Sequence, residues 1–260
     1  MDHYINLNSD LGESFGNYKL PDAEMLDIVS SANLACGFHA GDPMVMYKTV
    51  EMCAKKNVAI GAHVGYPDLQ GFGRRRMQMT FDEIYNITLY QLGALEAFTR
   101  VHGVKIRHMN AHGALGNISH KDIDVARAVV KAAHDFDENI LIWTQNEHGC
   151  MAQAAKEYNM GYLSRVFFID RNYDDELFLV PRGTPDAMIT DEDYALKRVI
   201  RAIMENHVVT VTGKDVEILP PCSIMIHGDQ PKAVLFAKRL RKAIDDAGII
   251  VRYAADFPKQ

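Results

Sequence analysis

The sequence is poor in cysteine: Cys36, Cys53, Cys150 and Cys222 are the four in 260 residues, with no C-x-x-C and no short paired spacing. That excludes a disulfide-stapled scaffold and a zinc ribbon. The four read as buried free thiols of a chain kept in a reducing cytoplasm. Long hydrophobic runs are missing too. The longest are short, such as ILIW at 140–143 and RVFFI at 165–169. A membrane span needs roughly 20 apolar residues, so none is expected. Basic charge is not in excess, with 28 Lys and Arg against 34 Asp and Glu and a net charge of −6. A nucleic-acid surface, which needs a basic stripe, is therefore not expected. No G-x-x-x-x-G-K-[ST] occurs, which excludes a P-loop, and no G-x-G-x-x-G follows the first strand pattern, which removes the best support for a dinucleotide fold. There is no low-complexity segment, linker or internal repeat. A strand pattern begins almost at the first residue, so one domain over 1–260 without a signal peptide is expected.

What is present is alternation. Hydrophobic residues make up 48% and charged residues 24%, the balance of a chain with a large core. Seven apolar runs read as strands: Tyr4–Asn8, Ala32–Cys36, Val58–His63, Lys105–Asn110, Ile140–Thr144, Arg165–Asp170 and Ser223–His227. Amphipathic stretches lie between them. The one at 43–57 starts on Pro43, and the one at 80–103 opens with the capping-box spacing Thr80/Glu83 and closes on Gly103. Two more run over 121–136 and 231–248. Near-continuous apolar strands alternating with helices predict a parallel sheet covered by helices. IIVRYAAD at 249–256 is an eighth or an outer strand, and VVTVTGKDVEI at 208–218 an excursion before the seventh.

The polar residues fall in phase with this pattern. Asn8, Asp10 and Glu13 follow the first strand, His39 and Asp42 the second, His63 and Asp68 the third. Asn110 and His112 follow the fourth, Asp170 and Arg171 the sixth, His227 and Asp229 the seventh. In a β/α barrel those strand ends share one face, where active sites are built. Gly71 and Gly73 ahead of Arg74-Arg75-Arg76 suggest an anion-binding bend. Alternation puts Asn8 and Asp10 on the same side of the first strand, so Asp10 is expected at the inner rim, paired with a histidine or an ion. His108 and His112 stand at i and i+4, but on a strand they lie about 13 Å apart. His108 is therefore expected to pack inside or beside its strand rather than share a metal with His112.

LNSDLGESFG, SANLACGFHAGDP, GAHVGYPDLQGFGRR, HGALGN, DRNYDDELFLVPRG and IHGDQPKA, in this order from about residue 5 to 233, resemble the signature blocks of the LamB/YcsF family. The resemblance implies a seven-stranded β/α barrel of the glycoside hydrolase/deacetylase type. It also implies ATP-driven opening of 5-oxoproline to glutamate, with B and C subunits as partners. Three blocks depart from the family pattern. Asn110 and Gly116 replace a lysine and a tyrosine, SRVFFIDR lacks a glutamate, and Val64-Gly65-Tyr66 replaces a Pro-Ser-Phe type sequence.

Lactam hydrolysis calls for carboxylates to position water or metal, histidines to move protons and arginines to hold phosphate or carboxylate. Asp10, Glu13, His39 and His112 are the expected catalytic residues. Asn8, Asp42, Arg74, Arg75, Asp170, Arg171, His227 and Asp229 are expected to bind substrate or phosphate. ATP is the expected cosubstrate, bound by this chain or by a partner. A metal-dependent amide hydrolase or deacetylase without ATP is the alternative, with Asp10, His39 and His63 on a divalent ion. A non-catalytic subunit that keeps the pocket is the third reading. A homo-oligomer is compatible with each.

Overall fold

The computed structural model describes residues 3–181, 183–226 and 232–258. Strands and helices alternate one for one through the first three strands. Strand β1 (Tyr4–Leu11) is followed by the short helix α1 (Asp22–Met25), β2 (Ser31–Ala35) by α2 (Pro43–Lys56), and β3 (Ala59–Val64) by α3 (Phe81–Val101). Then come β4 (Ile106–Ala111), α4 (Gly113–Ser119), α5 (Ile123–Phe136), β5 (Leu141–Trp143) and α6 (Cys150–Glu157). The second half holds β6 (Tyr162–Leu163), β7 (Val166–Phe168), α7 (Glu192–Glu205), β8 (His207–Val209), β9 (Asp215–Glu217), β10 (Ser223–Ile226), α8 (Ala233–Asp246) and β11 (Ile250–Val251).

The main sheet runs β6-β5-β4-β3-β2-β1-β10-β7 with every ladder parallel. Eight strands lie on this path, not the expected seven. The extra one is β6, two residues long, with Ile142 opposite Tyr162 and Trp143 opposite Leu163. Two residues show no periodicity, and Arg165, at φ +71°, breaks the chain before β7. Because β6 and β7 are consecutive yet end the path on opposite sides, the sheet curls into a nearly closed barrel. Strand β11 is an outer strand on Tyr4 and Ile5 of β1, and the excursion before β10 is the antiparallel hairpin β8–β9.

Local chemistry sets the helices. Asp42 caps α2 through Met44 N and Val45 N, with Pro43 in its first turn, and the Thr80/Glu83 capping box opens α3. Met46, Val50 and Cys53 of α2, Leu92 and Leu95 of α3, and Leu240 and Ile244 of α8 share one continuous core with Ile5, Leu7 and Leu11 of β1. Each such large side chain contributes about 2 kcal/mol by burial. Cys36, Cys53 and Cys222 are buried free thiols, and Cys150 is half-buried.

Asp22 ties the loop after β1 to this core. Its Oδ2 accepts from Gly12 N at 3.0 Å and from Thr49 Oγ1 at 3.4 Å. Burial is the main influence on it and pushes its pKa up to about 6. A raised carboxyl pKa favours the protonated folded state. Its contribution is present below the unfolded value of 3.8 and lost as pH rises through about 6. Asp22→Asn should therefore gain about 2 kcal/mol relative to wild type between pH 4 and pH 7.5 in urea unfolding. A difference between the two proteins that does not change with pH would contradict this.

Candidate active site

Five of the strand-end residues meet at one point. Glu13, His39, His63 and His112 are buried, and one ligand atom from each lies within 4.8 Å of all the others. Asp10 Oδ2 stands 3.4 Å from His63 Nε2. His63 Nε2 is also 2.9 Å from His112 Nδ1. Glu13 Oε1 is 3.2 Å from His39 Nε2 and 3.7 Å from His112 Nδ1. The His39 ring stacks on His112 with centroids 3.8 Å apart and planes 7° from parallel. Gly73 makes room for that stack: a Cβ there would lie 2.6 Å from His39 Cβ and 2.8 Å from His112 Cδ2. Gly73 also sits at φ +63°, which favours glycine.

The hydrogen-bond partners fix the protons. His112 Nε2 faces the Phe72 carbonyl at 2.8 Å, which can only accept, so Nε2 carries the hydrogen. Burial, with the charge of His63 beside it, holds the His112 pKa down at about 3, so the ring is neutral and Nδ1 is bare. His63 Nδ1 faces the Asn110 carbonyl at 3.0 Å and must donate to it. Its Nε2 faces the bare His112 Nδ1 and the Asp10 carboxylate, so it carries a second proton. Burial opposes that charge, but Asp10, Glu13 and the Asn110 carbonyl outweigh it and raise the His63 pKa. His39 stays neutral, its pKa pushed far down by burial and by His112, His63 and Arg74.

The cluster could hold a metal ion. His63 and His112 each spend the outer ring N–H on a backbone carbonyl and turn the other nitrogen inward, the arrangement that orients metal-binding imidazoles. Glu13 supplies a carboxylate and His39 a third imidazole, with His39 Nδ1 buried and without a hydrogen-bond partner. Three nitrogens and an oxygen suit zinc or a similar divalent ion.

The cluster closes one end of a cavity of about 740 Å³. Asp10, Glu13, His63 and His112 line it, whereas His39 lies behind His112 and does not. Arg74, Arg76, Lys121 and Arg171 supply cations to its walls, and Phe72, Trp143, Phe168 and Phe178 supply apolar surface. Other expected residues stand elsewhere. Asn8 is buried beneath the cluster, bonded to Ser31 and Asn33. Asp42 is occupied as the helix cap. Arg75 turns away to pair with Asp68, leaving Arg74 and Arg76 at the cavity. Asp170 borders a smaller cavity of about 180 Å³. His227 and Asp229 lie outside the described residues. Arg76 belongs to the run Arg74–Arg76 that the sequence marks as an anion-binding bend. Lys121 and Trp143 are not singled out by sequence, because nothing sets them apart from ordinary surface and core residues.

The LamB/YcsF family model matches residues 5–259. The chain belongs to the LamB/YcsF family. This LamB/YcsF chain is 48% identical over 254 residues to the A subunit of 5-oxoprolinase from Campylobacter jejuni serotype O:6, spanning 97% of this chain and 98% of that one. It is 44% identical to the 5-oxoprolinase A subunit of Pyrococcus abyssi, at 97% and 98% coverage. The crystal structure of a lactam utilization protein from Thermus thermophilus superposes with a TM-score of 0.90 at 36% identity, covering 97% of this chain and 99% of that one. These relatives support a hydrolase-type role in lactam utilization, within an enzyme of several subunits.

Zn²⁺ or Mn²⁺ titrated into this chain should bind at one site and raise the melting temperature. His63→Ala and Glu13→Gln should each weaken binding by at least 10-fold, the usual scale for losing a metal ligand or its support. Affinity unchanged from wild type in both variants would place the ion elsewhere.

Proposed function

We propose that this chain is a catalytic subunit of an ATP-dependent lactam hydrolase that opens 5-oxoproline to glutamate in the cytoplasm, with B and C subunits as partners. The reading includes a one-domain barrel of the glycoside hydrolase/deacetylase type. The observation that carries it is the joining of a proton-bearing acid–imidazole cluster to a cation-walled cavity.

A lactam carbonyl is a poor electrophile. Phosphoryl transfer from ATP to its oxygen activates the ring carbon. A first water adds there, and the C–N bond breaks as the ring nitrogen takes a proton. A second water then releases phosphate from the acyl phosphate. Asp10 is placed to accept the proton of the attacking water, and His63 holds on Nε2 the proton that the leaving nitrogen needs. His112 orients His63 and shares its proton. Arg74, Arg76 and Arg171 hold the substrate carboxylate or the phosphate. The chain has no P-loop, so a nucleotide held here would lie against the cavity walls. A bound divalent ion would polarise the carbonyl or the attacking water.

The four-donor cluster favours one second reading, a metal-dependent amide hydrolase that needs no ATP. The two separate in one assay. 5-Oxoproline hydrolysis should require ATP and the partner subunits. ATP-independent, chelator-sensitive hydrolysis of an amide by the chain alone would support the second reading and sink the first.

Asp10→Asn keeps the side-chain shape and removes the charge. Turnover by the assembled enzyme should fall by about 10²-fold or more, while the melting temperature of the chain stays within a few degrees. Near-normal turnover would remove Asp10 from the reaction.

A further inference from the structure

A row of four residues runs straight across the barrel wall. Asp10 on β1 is the register partner of Asn33 on β2, Asn33 of Gly61 on β3, and Gly61 of His108 on β4. The glycine in this row is spanned. His108 reaches over it, so closely that a Cβ on Gly61 would lie 2.1 Å from His108 Nε2. From there Nε2 meets Asn33 Oδ1 at 2.7 Å, and Asn33 Nδ2 meets Asp10 Oδ1 at 2.8 Å. On its far side His108 Nδ1 meets Tyr253 Oη at 3.2 Å. The ring is fully buried and stacked against Trp143 and Tyr253.

The direction of every bond in this chain is determined. A carboxylate only accepts, so the Asn33 atom facing Asp10 is the amide nitrogen. Asn33 Oδ1 therefore faces His108, whose Nε2 must donate. Burial holds the His108 pKa down at about 3, so the ring has one proton and Nδ1 is bare. Tyr253 must then donate its hydroxyl hydrogen to Nδ1. Asn8 completes the set, accepting the second Asn33 amide hydrogen at 2.8 Å. Packing alone does not need these groups, since barrel interiors are ordinarily filled with branched apolar side chains. A buried polar chain is costly unless each member is satisfied, and these contacts satisfy one another.

We propose that His108 is a positioning residue for Asp10. It acts through Asn33 across the gap left by Gly61, with Asn33 Oδ1 fixing its tautomer and Tyr253 donating to the bare Nδ1. The bond from Asn33 holds Asp10 Oδ1 and so orients the carboxylate whose Oδ2 faces His63. Nothing in this arrangement brings His108 to the cavity surface, so its effect on the reaction is indirect. The kinetic part of the test rests on the function proposed above, whereas the structural part does not.

The test compares three variants. His108→Gln places an amide N–H near the position of Nε2, His108→Leu fills the space without a donor, and Gly61→Ala keeps the imidazole but displaces it. Crystal structures of the chain should show the Asp10 carboxylate rotated in His108→Leu and Gly61→Ala and retained in His108→Gln. In the assembled enzyme with ATP and 5-oxoproline, the first two should lose roughly 10-fold or more in kcat with KM within about twofold. His108→Gln should recover most of that loss. ¹⁵N NMR of the wild-type chain should find His108 protonated at Nε2 and bare at Nδ1. The opposite tautomer, an unmoved Asp10 in His108→Leu, or equal kcat losses in the Gln and Leu variants would overturn the proposal. If His108→Leu does not fold, the Gln and Ala variants and the tautomer still decide it. A wild-type assembly inactive on 5-oxoproline would defeat the functional reading alone, and the carboxylate position and tautomer would still decide the role of His108.

Discussion

The proton between His63 and His112 is the constraint on which the site depends. Two backbone carbonyls, of Phe72 and Asn110, each demand a hydrogen from the outer nitrogen of one ring. The inner nitrogens then stand 2.9 Å apart and cannot both be bare without repulsion. A proton on His63 resolves this, and Asp10 and Glu13 stabilise the resulting charge against its burial. A divalent ion could satisfy the same inward-facing atoms. The site is thus built for positive charge at its centre, with acids beside it and neutral imidazoles around it.

The rest of the barrel supports that demand in layers. Outward-facing apolar residues of the strands bind the helices. Inward-facing polar residues form a hydrogen-bonded floor. Asn6 bonds Ser223 and Ser30, while Asn8 bonds Ser31 and pairs with Asn33. Above the floor, the strand ends present the cluster, the loop after β3 adds Arg74 and Arg76 to the cavity walls, and the turn between α4 and α5 adds Lys121. Acids, imidazoles and arginines thus share one cavity, with the Arg74 charge close enough to help hold the His39 and His112 rings neutral.

Much of this was legible in the sequence because parallel strands and barrel rims leave a regular trace. All seven expected strands exist, and Asp10, Glu13, His39, His63 and His112 converge because each follows an apolar run. What escaped was information that exists only across strands. Strand β6 is too short to carry a period. Arg75 and Asp42 looked like ligand-binding residues, but one found a carboxylate at Asp68 and the other a helix N-terminus. His108 was expected to pack inside or beside its strand, and it is buried there. Its bond to Asn33 depends on the register of three neighbouring strands and on the missing side chain at Gly61, which no single segment displays.

The most direct measurement of the central claim is a crystal structure of the chain with 5-oxoproline bound. The account predicts the lactam amide against Asp10, His63 and His112, and the substrate carboxylate toward Arg74, Arg76 or Arg171. A lactam bound outside this cavity, or with its amide turned away from the acid–imidazole cluster, would contradict the account.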